Sequence, residues 1–385
     1  MSPEFLSYEE DGLVLYKAGK FKDPAKRGYE ENFSRDVLES GLMRGDPLMI
    51  RDQLIFGNSK ISASKDPISS AELWKYHHQN PGVLLQNGLS TEYNATDAVA
   101  LYLLGHDLYQ QTTGDKSLTQ RFFVNLFGST YVYALNHLNS RMQFEENPIY
   151  SGAEISALKR TDWKDSFIPL RPEGRAVGSV VYPNVQAQYM AAFRAASNLF
   201  EIPQLAQVSD QMREGLDLLF DDTKGNFHIA VDKLGPIKGI NSDGLNMLFY
   251  LNPQDLTPRM LLSVIESSEV LETGIGYLNI EPEIGDTLED DYHYRVWPKE
   301  QAAIFLGASK FLHWAAQNNK TEFINPLMHV KEVATRCYPF IGDGAETLKE
   351  RDGQVIAEGP DYQLWSIVAG EILEEEYFRI RSVAA

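Results

Sequence analysis

Carboxylates stand beside tryptophans in several polar stretches of this sequence, and that pairing points to chemistry on a sugar. The clearest stretch is TDWKDS, in which Asp162 and Asp165 flank Trp163. Trp297 and Trp365 also lie near acidic residues, each in or beside a long connection. Hydrolysis of a glycosidic bond needs two carboxyl groups, one protonated and one ionised, and an apolar indole wall raises a carboxyl pKa by desolvation. The pattern therefore favours a sugar site containing an acid, although each tryptophan taken alone is more often a core residue.

Composition narrows the class of ligand. The chain has 385 residues, of which 43% are hydrophobic and 23% charged, as is usual for a globular protein with a sizeable core. Its formal net charge is -19. Such a surface repels nucleic-acid phosphates and anionic membranes, so neither partner is expected. A small neutral carbohydrate is compatible with this charge, and the composition leaves the oligomeric state open.

The number of cysteines and the hydropathy of the sequence indicate the cellular compartment. Cys337 is the single cysteine, so no disulfide within the chain is expected. The N-terminal stretch carries early acidic residues and no long apolar core, which argues against a signal peptide. No run of about 18 apolar residues predicts a transmembrane helix. The sequence therefore predicts a cytoplasmic location.

Apolar residues recur at spacings of three and four along most of the chain, which predicts helices. The predicted helical stretches are 95–115, ending at Gly114, then 117–142, 184–200, 202–220, 258–271, 299–319, 320–340 and 361–378. Strand-like runs are few, and the best are residues 11–16 and 225–232. The chain therefore predicts an all-α fold.

The connections between these helices alternate between short and long. The long connections are rich in aromatic residues, glycine and aspartate, and they lie at residues 29–36, 80–97, 150–182, 271–297 and 340–362. This arrangement favours a helical toroid or a solenoid. A solenoid that binds protein should show a repeat at a fixed period, and its absence counts against that alternative. No change of composition divides the chain, so residues 1–385 are expected to form a single domain.

Sequence motifs for metals and cofactors are missing. The chain has no phosphate-binding GxxxxGK[ST] loop, no HExxH motif and no pair of CxxC motifs. The acidic run DTLEDDYHY at residues 286–294 has ligands suited to a hard cation, but a solvated loop is the commoner meaning of such a run. Neither a metal nor an organic cofactor is expected.

Six stretches in order resemble the six-hairpin glycosidases: ENFSRDVLESGL, EYNATDAVALYLL, TDWKDS, YPNVQAQYMAAF, YHYRVWPKEQAAIFLGASKF and GAETLKERDG…GPDYQLWSIVAGEIL. These families include the amylo-α-1,6-glucosidase part of glycogen debranching enzymes, the mannosylglycerate and glucosylglycerate hydrolases and the neutral invertases. The resemblance covers about residues 29–375, and YHYRVWPKEQA is its most specific piece. It implies an (α/α)6 barrel.

The resemblance also implies the two catalytic carboxylates. The families' general acid follows a tryptophan, as Asp165 follows Trp163 here, and their general base precedes the last helix, which selects Glu346. Nearby carboxylates leave alternatives for both roles: Asp162 for the acid, and Glu350 and Asp352 for the base. The implied mechanism uses no metal and no cofactor.

The resemblance implies a sugar-binding set as well. The Arg35–Asp36 pair matches an Arg-Asp pair of these families that binds sugar hydroxyls, in which Arg is a fixed donor and Asp an acceptor. The other implied sugar-binding residues are Tyr93, Asp97, Trp163, Gln186, His293, Trp297, Gln363 and Trp365. An acidic residue in a first helical turn is the alternative for Asp36 and for Asp97, and a buried structural histidine is the alternative for His293.

One departure bears on the substrate. Many of these enzymes have Glu where this chain has Asn184, which keeps hydrogen bonding and loses the charge. This departure weakens the case for a debranching or invertase activity, and the resemblance then implies an inverting, exo-acting hydrolase that releases an α-linked glucose or mannose from a small acceptor. A carboxylate on that acceptor would meet Lys164, Arg171 and Arg175. The alternatives are a neutral invertase, a debranching-type glucosidase, or a sugar-binding or scaffold protein that has lost catalysis.

Overall fold

Helices make up most of the described chain. The computed structural model describes residues 2–139 except 24, 27, 86 and 87, residues 142–143, and residues 180–384 except 233 and 288–293. The described α-helices are α1 (Ser34–Arg44), α2 (Pro47–Asn58), α3 (Ala98–Thr113), α4 (Ser117–Arg121), α5 (Phe123–Gly128), α6 (Pro183–Phe200), α7 (Pro203–Leu219), α8 (Asp243–Asn246), α9 (Pro258–Ser267), α10 (Pro282–Gly285), α11 (Pro298–Gln317), α12 (Ile324–Thr335), α13 (Tyr338–Ile341) and α14 (Leu364–Ala384). None of these helices combines the length and apolarity that crossing a membrane requires.

Short antiparallel strand pairs occupy the connections. The strands are β1 (Ser7–Glu10), β2 (Leu13–Tyr16), β3 (Gly19–Lys20), β4 (Asn32–Phe33), β5 (Gln79–Asn80), β6 (Leu138–Asn139), β7 (Met142–Gln143), β8 (Phe220–Asp221), β9 (Asn226–Phe227), β10 (Ala230–Asp232), β11 (Gly235–Ile237), β12 (Glu272–Thr273), β13 (Gly276–Tyr277), β14 (Thr347–Arg351), β15 (Gln354–Glu358) and β16 (Tyr362–Gln363). Most pair with the next strand along the chain, whereas β3 pairs with β16 and so joins the two ends of the chain.

Six helices contact one another in a closed ring. In chain order α1 contacts α3, α3 contacts α6, α6 contacts α8, α8 contacts α11, α11 contacts α14, and α14 contacts α1. The other long helices pack against ring members, as α2 does on α1, α7 on α6 and α12 on α11. Neighbours in sequence are therefore neighbours in space, and only the contact between α14 and α1 requires the whole chain.

Local chemistry explains the tight turn between α1 and α2. Gly45 ends α1 with a φ of 66°, a left-handed conformation that glycine adopts without steric cost. Asp46 then caps α2, because its side chain accepts hydrogen bonds from the backbone N–H groups of Leu48 and Met49. Pro47 follows at the first helical position, where its missing N–H costs nothing.

The ring helices bury polar side chains in their N-terminal halves. These are Arg35, Asp36, Glu39 and Ser40 in α1, Asn184, Gln186 and Gln188 in α6, and Lys299, Glu300 and Gln301 in α11. The main apolar core includes Leu38 of α1, Phe193 of α6 and Phe311 of α11. The ring therefore places buried polar groups close to the helix starts, where the candidate site also lies.

Most of the predicted helices are confirmed, but the structure divides some stretches and adds elements that the sequence pattern did not predict. The stretch 117–142 is broken into α4, α5, a π-helical turn at Ser129–Ala134 and a 3-10 turn at Leu135–His137. Helices α1, α2, α8 and α10 are additional to those that the apolar spacing predicts, and the stretch 320–340 is divided between α12 and α13. Short strands are also more numerous than the two expected runs, although both of those runs do contain strands.

Candidate active site

A pocket opens where α1, α11 and α14 begin. It is lined by Ala18, Tyr29, Phe33, Arg35, Asp36, His78, Trp297, Glu346, Gln363 and Trp365. Its empty space is about 440 Å³, counting the part open to solvent. Six residues that the sequence singled out meet here: Arg35, Asp36, Trp297, Glu346, Gln363 and Trp365.

The start of α1 is fixed by the strand segment before it. β4 pairs with β5, and the Ser34 backbone N–H donates to the His78 carbonyl at 2.8 Å. Asp36 Oδ2 then accepts from Gln363 Nε2 at 3.1 Å, which joins the starts of α1 and α14. Asp36 is therefore a buried acceptor at the pocket wall, held by a contact from the far end of the chain.

Arg35 is held from behind by Asp97. Its Nε donates to both carboxylate oxygens of Asp97, at 3.1 and 2.9 Å, and both side chains are buried. Asp97 precedes the first residue of α3 and does not line the described pocket. The structure therefore places Asp97 as the counter-ion of Arg35, while Arg35 itself reaches the pocket.

Glu346 lies immediately before the β14–β15 hairpin. Two residues at the hairpin tip, Asp352 and Gly353, have positive φ, which matches the tight turn expected of an Asp-Gly pair. Leu348 in β14 exchanges backbone hydrogen bonds with Val296, at 3.0 and 2.9 Å. This pairing brings Glu346 next to the start of α11, where its side chain is 2% exposed.

Two tryptophans form the indole wall of the pocket. Trp297 immediately precedes α11 and Trp365 lies in the first turn of α14, and their ring centres are 6.1 Å apart at an angle of 73°. Behind them, Lys299 Nζ lies 5.1 Å from the Trp365 ring centre, within the range of a cation–π contact. Apolar rings therefore stand in the same pocket as the Asp36 and Glu346 carboxyl groups.

His78 is a pocket residue that the sequence reasoning missed. Its ring packs edge-on against Phe33, with centroids 5.3 Å apart, and Phe33 contacts Tyr29 in the same way. Burial, and then the positive charge of Arg35, hold the pKa of His78 well below 6.5. The only signal in the sequence was a pair of histidines after Tyr76, at no spacing typical of a catalytic or metal site.

Two predicted sugar-binding residues lie elsewhere in the described structure. The Tyr93 hydroxyl donates to the Lys60 carbonyl at 2.5 Å, and burial raises its pKa to about 12. Gln186 Nε2 donates to the Met212 carbonyl at 2.8 Å and so joins α6 to α7. Neither lines the described pocket. Both side chains therefore have a structural role, because each forms a hydrogen bond to the backbone of another segment.

The remaining predicted residues lie outside the described ones. These are Trp163, Asp165 and His293, together with the alternative acid Asp162 and the basic residues Lys164, Arg171 and Arg175. Asn184, the departure noted in the sequence, is fully buried in the first turn of α6, and its amide atoms have no hydrogen-bond partner among the described residues. Across the described part of the chain, no group of three or more His, Cys, Asp or Glu side chains is arranged to hold a metal ion.

Comparison with known proteins gives similarity at the level of structure. No family model matches the sequence, and no curated protein matches it. The GH63 mannosylglycerate hydrolase from Thermus thermophilus, in complex with Tris and D-glycerate, is similar with a TM-score of 0.59 and 12% identity, covering 95% of this chain and 97% of that one. Its complex with glucose gives 0.59 and 12%, over 93% and 96%.

A rhamnosidase from Klebsiella oxytoca with rhamnose bound is also similar, with a TM-score of 0.52 and 11% identity. The similarity covers 94% of this chain and 60% of that one. At such identities the comparison establishes a common fold, whereas function depends on side chains. The chain therefore has the mainly helical fold of the GH63 mannosylglycerate hydrolase over nearly its whole length.

Proposed function

We propose that this protein is an inverting, exo-acting glycoside hydrolase that releases an α-linked glucose or mannose from a small acceptor. The observation that carries the proposal is the meeting of Glu346, Asp36 and Gln363 in one pocket with two tryptophans. Carboxylates and amides bind sugar hydroxyls, indole faces pack on sugar C–H groups, and a buried carboxylate can act as a base.

The proposal extends to the architecture. The closed ring of α1, α3, α6, α8, α11 and α14 is taken as the inner wall of an (α/α)6 barrel, and residues 1–385 as one domain. Supporting this, outer helices pack on ring helices next to them in sequence. The similarity to the mannosylglycerate hydrolase also extends over nearly the full length of both chains.

In the proposed reaction, Glu346 removes a proton from a water molecule that attacks the anomeric carbon. The bond from that carbon to the acceptor oxygen breaks, and Asp165 gives its proton to the leaving oxygen. An inverting enzyme needs room for this water, so the two carboxyl groups should be about 6.5–9.5 Å apart. Asp36 accepts from hydroxyls of the terminal sugar, and Trp297 and Trp365 exclude water from its ring.

A panel of disaccharide-sized substrates tests the activity directly. Trehalose, sucrose, isomaltose, glucosylglycerate and mannosylglycerate are incubated with the protein, and released monosaccharide is measured. We expect turnover of at least one α-linked glucoside or mannoside. Release of no sugar from any substrate would favour a binding or scaffold protein instead.

Matched carboxylate variants test the assignment of the base. Glu346→Gln should lower turnover at least about a hundredfold, the usual effect of removing a positioned base, with its fold retained. Glu350→Gln is the control, because Glu350 is exposed on β14 a few residues further on. Equal loss in both variants, or loss only in Glu350→Gln, would contradict the assignment.

The stereochemical course and the acid need separate measurements. Proton NMR of the first product formed should show the β-anomer from an α-linked substrate, and an initial α-anomer would exclude inversion. Asp165→Asn should lose activity on substrates with poor leaving groups by about a hundredfold or more. Near-normal activity of that variant would transfer the role to Asp162.

A further inference from the structure

His78 carries a polar atom that no described residue satisfies. The side chain is 3% exposed and lines the pocket. Its Nε2 has no hydrogen-bond partner within the described part of the chain. Buried polar atoms are nearly always paired, so an unpaired one at a pocket wall needs an explanation.

The other ring nitrogen shows which hydrogen-bonding role Nε2 can take. Nδ1 lies 2.6 Å from Asn94 Oδ1 and 3.3 Å from the Thr91 carbonyl oxygen. A carbonyl oxygen only accepts, so Nδ1, which faces both Asn94 Oδ1 and the Thr91 carbonyl, carries the ring proton. Because burial and Arg35 keep the ring neutral, Nε2 presents a lone pair and acts as an acceptor.

The backbone on both sides of this ring is fixed. The His78 N–H donates to the Glu92 carbonyl at 2.7 Å, and the His78 carbonyl accepts from Ser34 N–H at 2.8 Å. Edge-on packing of Phe33 against the ring adds a third restraint. The acceptor is therefore positioned before any ligand arrives, which lowers the cost of binding a matching donor.

Two neighbouring pocket residues also have atoms that no described residue pairs. Gln363 donates through Nε2 to Asp36, and its Oε1 is such an atom. The Trp365 Nε1–H, a donor, is another. Gly19 leaves the space beside Gln363, since a Cβ at that position would lie 2.1 Å from Oε1. Three residues that line the pocket thus carry two acceptors and one donor with no partner among the described residues, a set that suits hydroxyl groups.

We propose that His78 is a specificity-determining residue, whose Nε2 accepts a hydrogen bond from one hydroxyl of the terminal sugar. The pocket then selects a hexose that carries this hydroxyl over the deoxy sugar that lacks it. The inference rests on the proposed function and adds the substrate class: a hexopyranose hydroxylated at the position facing His78. A deoxy analogue leaves Nε2 buried and unpaired, which costs binding.

Binding of single sugars tests this without turnover. Affinities of D-glucose, D-mannose and their 2-, 3-, 4- and 6-deoxy derivatives are measured by titration calorimetry. In the unaltered protein, one derivative of the preferred hexose should bind at least about tenfold more weakly than its parent through loss of the bond to His78. The other derivatives report on the remaining pocket groups.

Two substitutions at His78 separate ligand binding from structural support. In His78→Asn the amide nitrogen replaces Nδ1 and keeps the bond towards Asn94, while the Nε2 acceptor is removed. In His78→Gln the amide oxygen can replace Nε2. We expect His78→Asn to bind the parent hexose as weakly as the critical deoxy sugar, and His78→Gln to recover part of the difference.

His77→Asn is the matched control. His77 is equally buried and adjacent, but it bonds to Ser34 Oγ at 2.8 Å and does not line the pocket. This variant should lose stability and keep the discrimination. The inference is overturned if His78→Asn folds and still discriminates all four deoxy sugars as the unaltered protein does. If the unaltered protein binds no hexose and cleaves no substrate, both the proposed function and this inference are wrong. If it cleaves a substrate but His78→Asn discriminates the deoxy sugars as before, only the inference about His78 is wrong.

Discussion

Lys299 and Glu39 form a fully buried ion pair that joins α11 to α1. Lys299 Nζ lies 2.7 Å from Glu39 Oε2, and the two side chains are 0% and 1% exposed. The Tyr250 hydroxyl donates to the other oxygen of Glu39 at 2.9 Å. The same ammonium group lies against the Trp365 ring, so this pair supports the indole wall of the pocket from behind.

Removing the cation should destabilise the protein strongly. In Lys299→Met the Glu39 carboxylate stays buried without its counter-charge, which typically costs about 3–5 kcal/mol of unfolding free energy. Lys22→Met is the control, because Lys22 pairs with Asp343 at 2.8 Å on the surface, where solvent screening leaves an ion pair little effect on stability. Urea unfolding measures both. A loss for Lys299→Met no larger than for the control would show that Glu39 does not depend on Lys299.

A methyl group at position 359 should disturb Glu346. Gly359 has a φ of +85°, and a Cβ there would lie 2.2 Å from Glu346 Oε2 and 2.6 Å from its Cβ, so the Glu346 side chain must move. Gly359→Ala should lower kcat/KM by about tenfold or more, since misplacement of a catalytic group by about 1 Å is costly. Gly353→Ala carries similar backbone strain at a φ of +72° with no described atom within 4 Å, and should stay active. Similar kinetics in the two variants would argue against a role for Glu346.

Buried neutral histidines should make the fold sensitive to acid. Burial lowers the pKa of His106 to about 3, and burial followed by the charge of Lys60 lowers that of His77 to about 3. The unfolded chain binds these protons near pH 6.5, so the stability they provide is present above pH 6.5 and is lost as pH falls. Each of these two histidines should lower the unfolding free energy by about 2 kcal/mol between pH 7 and pH 5.

Urea unfolding at pH 7 and pH 5 measures this loss. His106→Gln should reduce the difference between the two pH values by about 2 kcal/mol, because the variant has one fewer group to protonate on unfolding. His313→Gln is the control, since His313 is exposed on α11. Equal acid sensitivity of His106→Gln and the unaltered protein would show that His106 is not buried as a neutral ring.

The contribution of His137 to stability should change with pH in the opposite direction. Burial alone lowers its pKa. The hydrogen bond to Glu72, at 3.2 Å between Nε2 and Oε2, the negative charge of Glu72 and the bond to the Tyr133 carbonyl together outweigh burial and raise the pKa above 6.5. Burial raises the pKa of Glu72, but the same hydrogen bond and the positive charges of Lys75, His137 and Lys65 together lower it below 4.5. The His137 contribution is therefore full below pH 6.5 and is lost as pH rises, while that of Glu72 is present above pH 4.5.

The pH dependence of one variant tests this pair. His137→Gln should reduce the unfolding free energy by on the order of 1–2 kcal/mol near pH 5.5, where both groups are charged, and by less near pH 9. Unfolding curves of the variant and the unaltered protein across that range give the difference. A deficit that grows with pH would contradict a raised pKa at His137.

Substrate length should limit turnover if the pocket serves small acceptors. Arg35, Asp36 and Trp297 all lie on its wall, and added sugars would gain no contact that favours the transition state. We expect kcat/KM to fall steeply from a disaccharide-sized substrate to glycogen. Equal or better efficiency on glycogen would favour a debranching-type enzyme.

Local chemistry accounts for the elements that could be read from the sequence. The predicted end of a helix at Gly114 is confirmed, because this residue follows α3 with a φ of 72°, a conformation suited to glycine. The Asp352–Gly353 pair likewise carries the signal of a tight hairpin, yet the residue pattern predicts only a long connection at residues 340–362. The Trp297 and Trp365 neighbourhoods were selected from residue types and Glu346 from the resemblance to the six-hairpin glycosidases, and all three residues line one pocket.

Helix α1 shows why part of the fold was missed. Arg35, Asp36, Glu39 and Ser40 are all buried in it, so its polar face is inside and the apolar spacing that predicts a helix is interrupted. The burial of these groups depends on partners from other elements, such as Asp97, Lys299 and Gln363. No window of local sequence contains those partners.

The sequence by itself determined most of the long helices and the helix end at Gly114, and it put forward the residue types of a candidate sugar site. Only the tertiary structure decided which of them share a pocket. Asp36 and Gln363 are 327 positions apart and are joined by a hydrogen bond because α14 closes the ring against α1. Asp97 lies behind Arg35, and His78 enters the pocket through the pairing of β4 with β5. Such contacts follow from packing of the whole chain, which residue spacing along one segment does not encode.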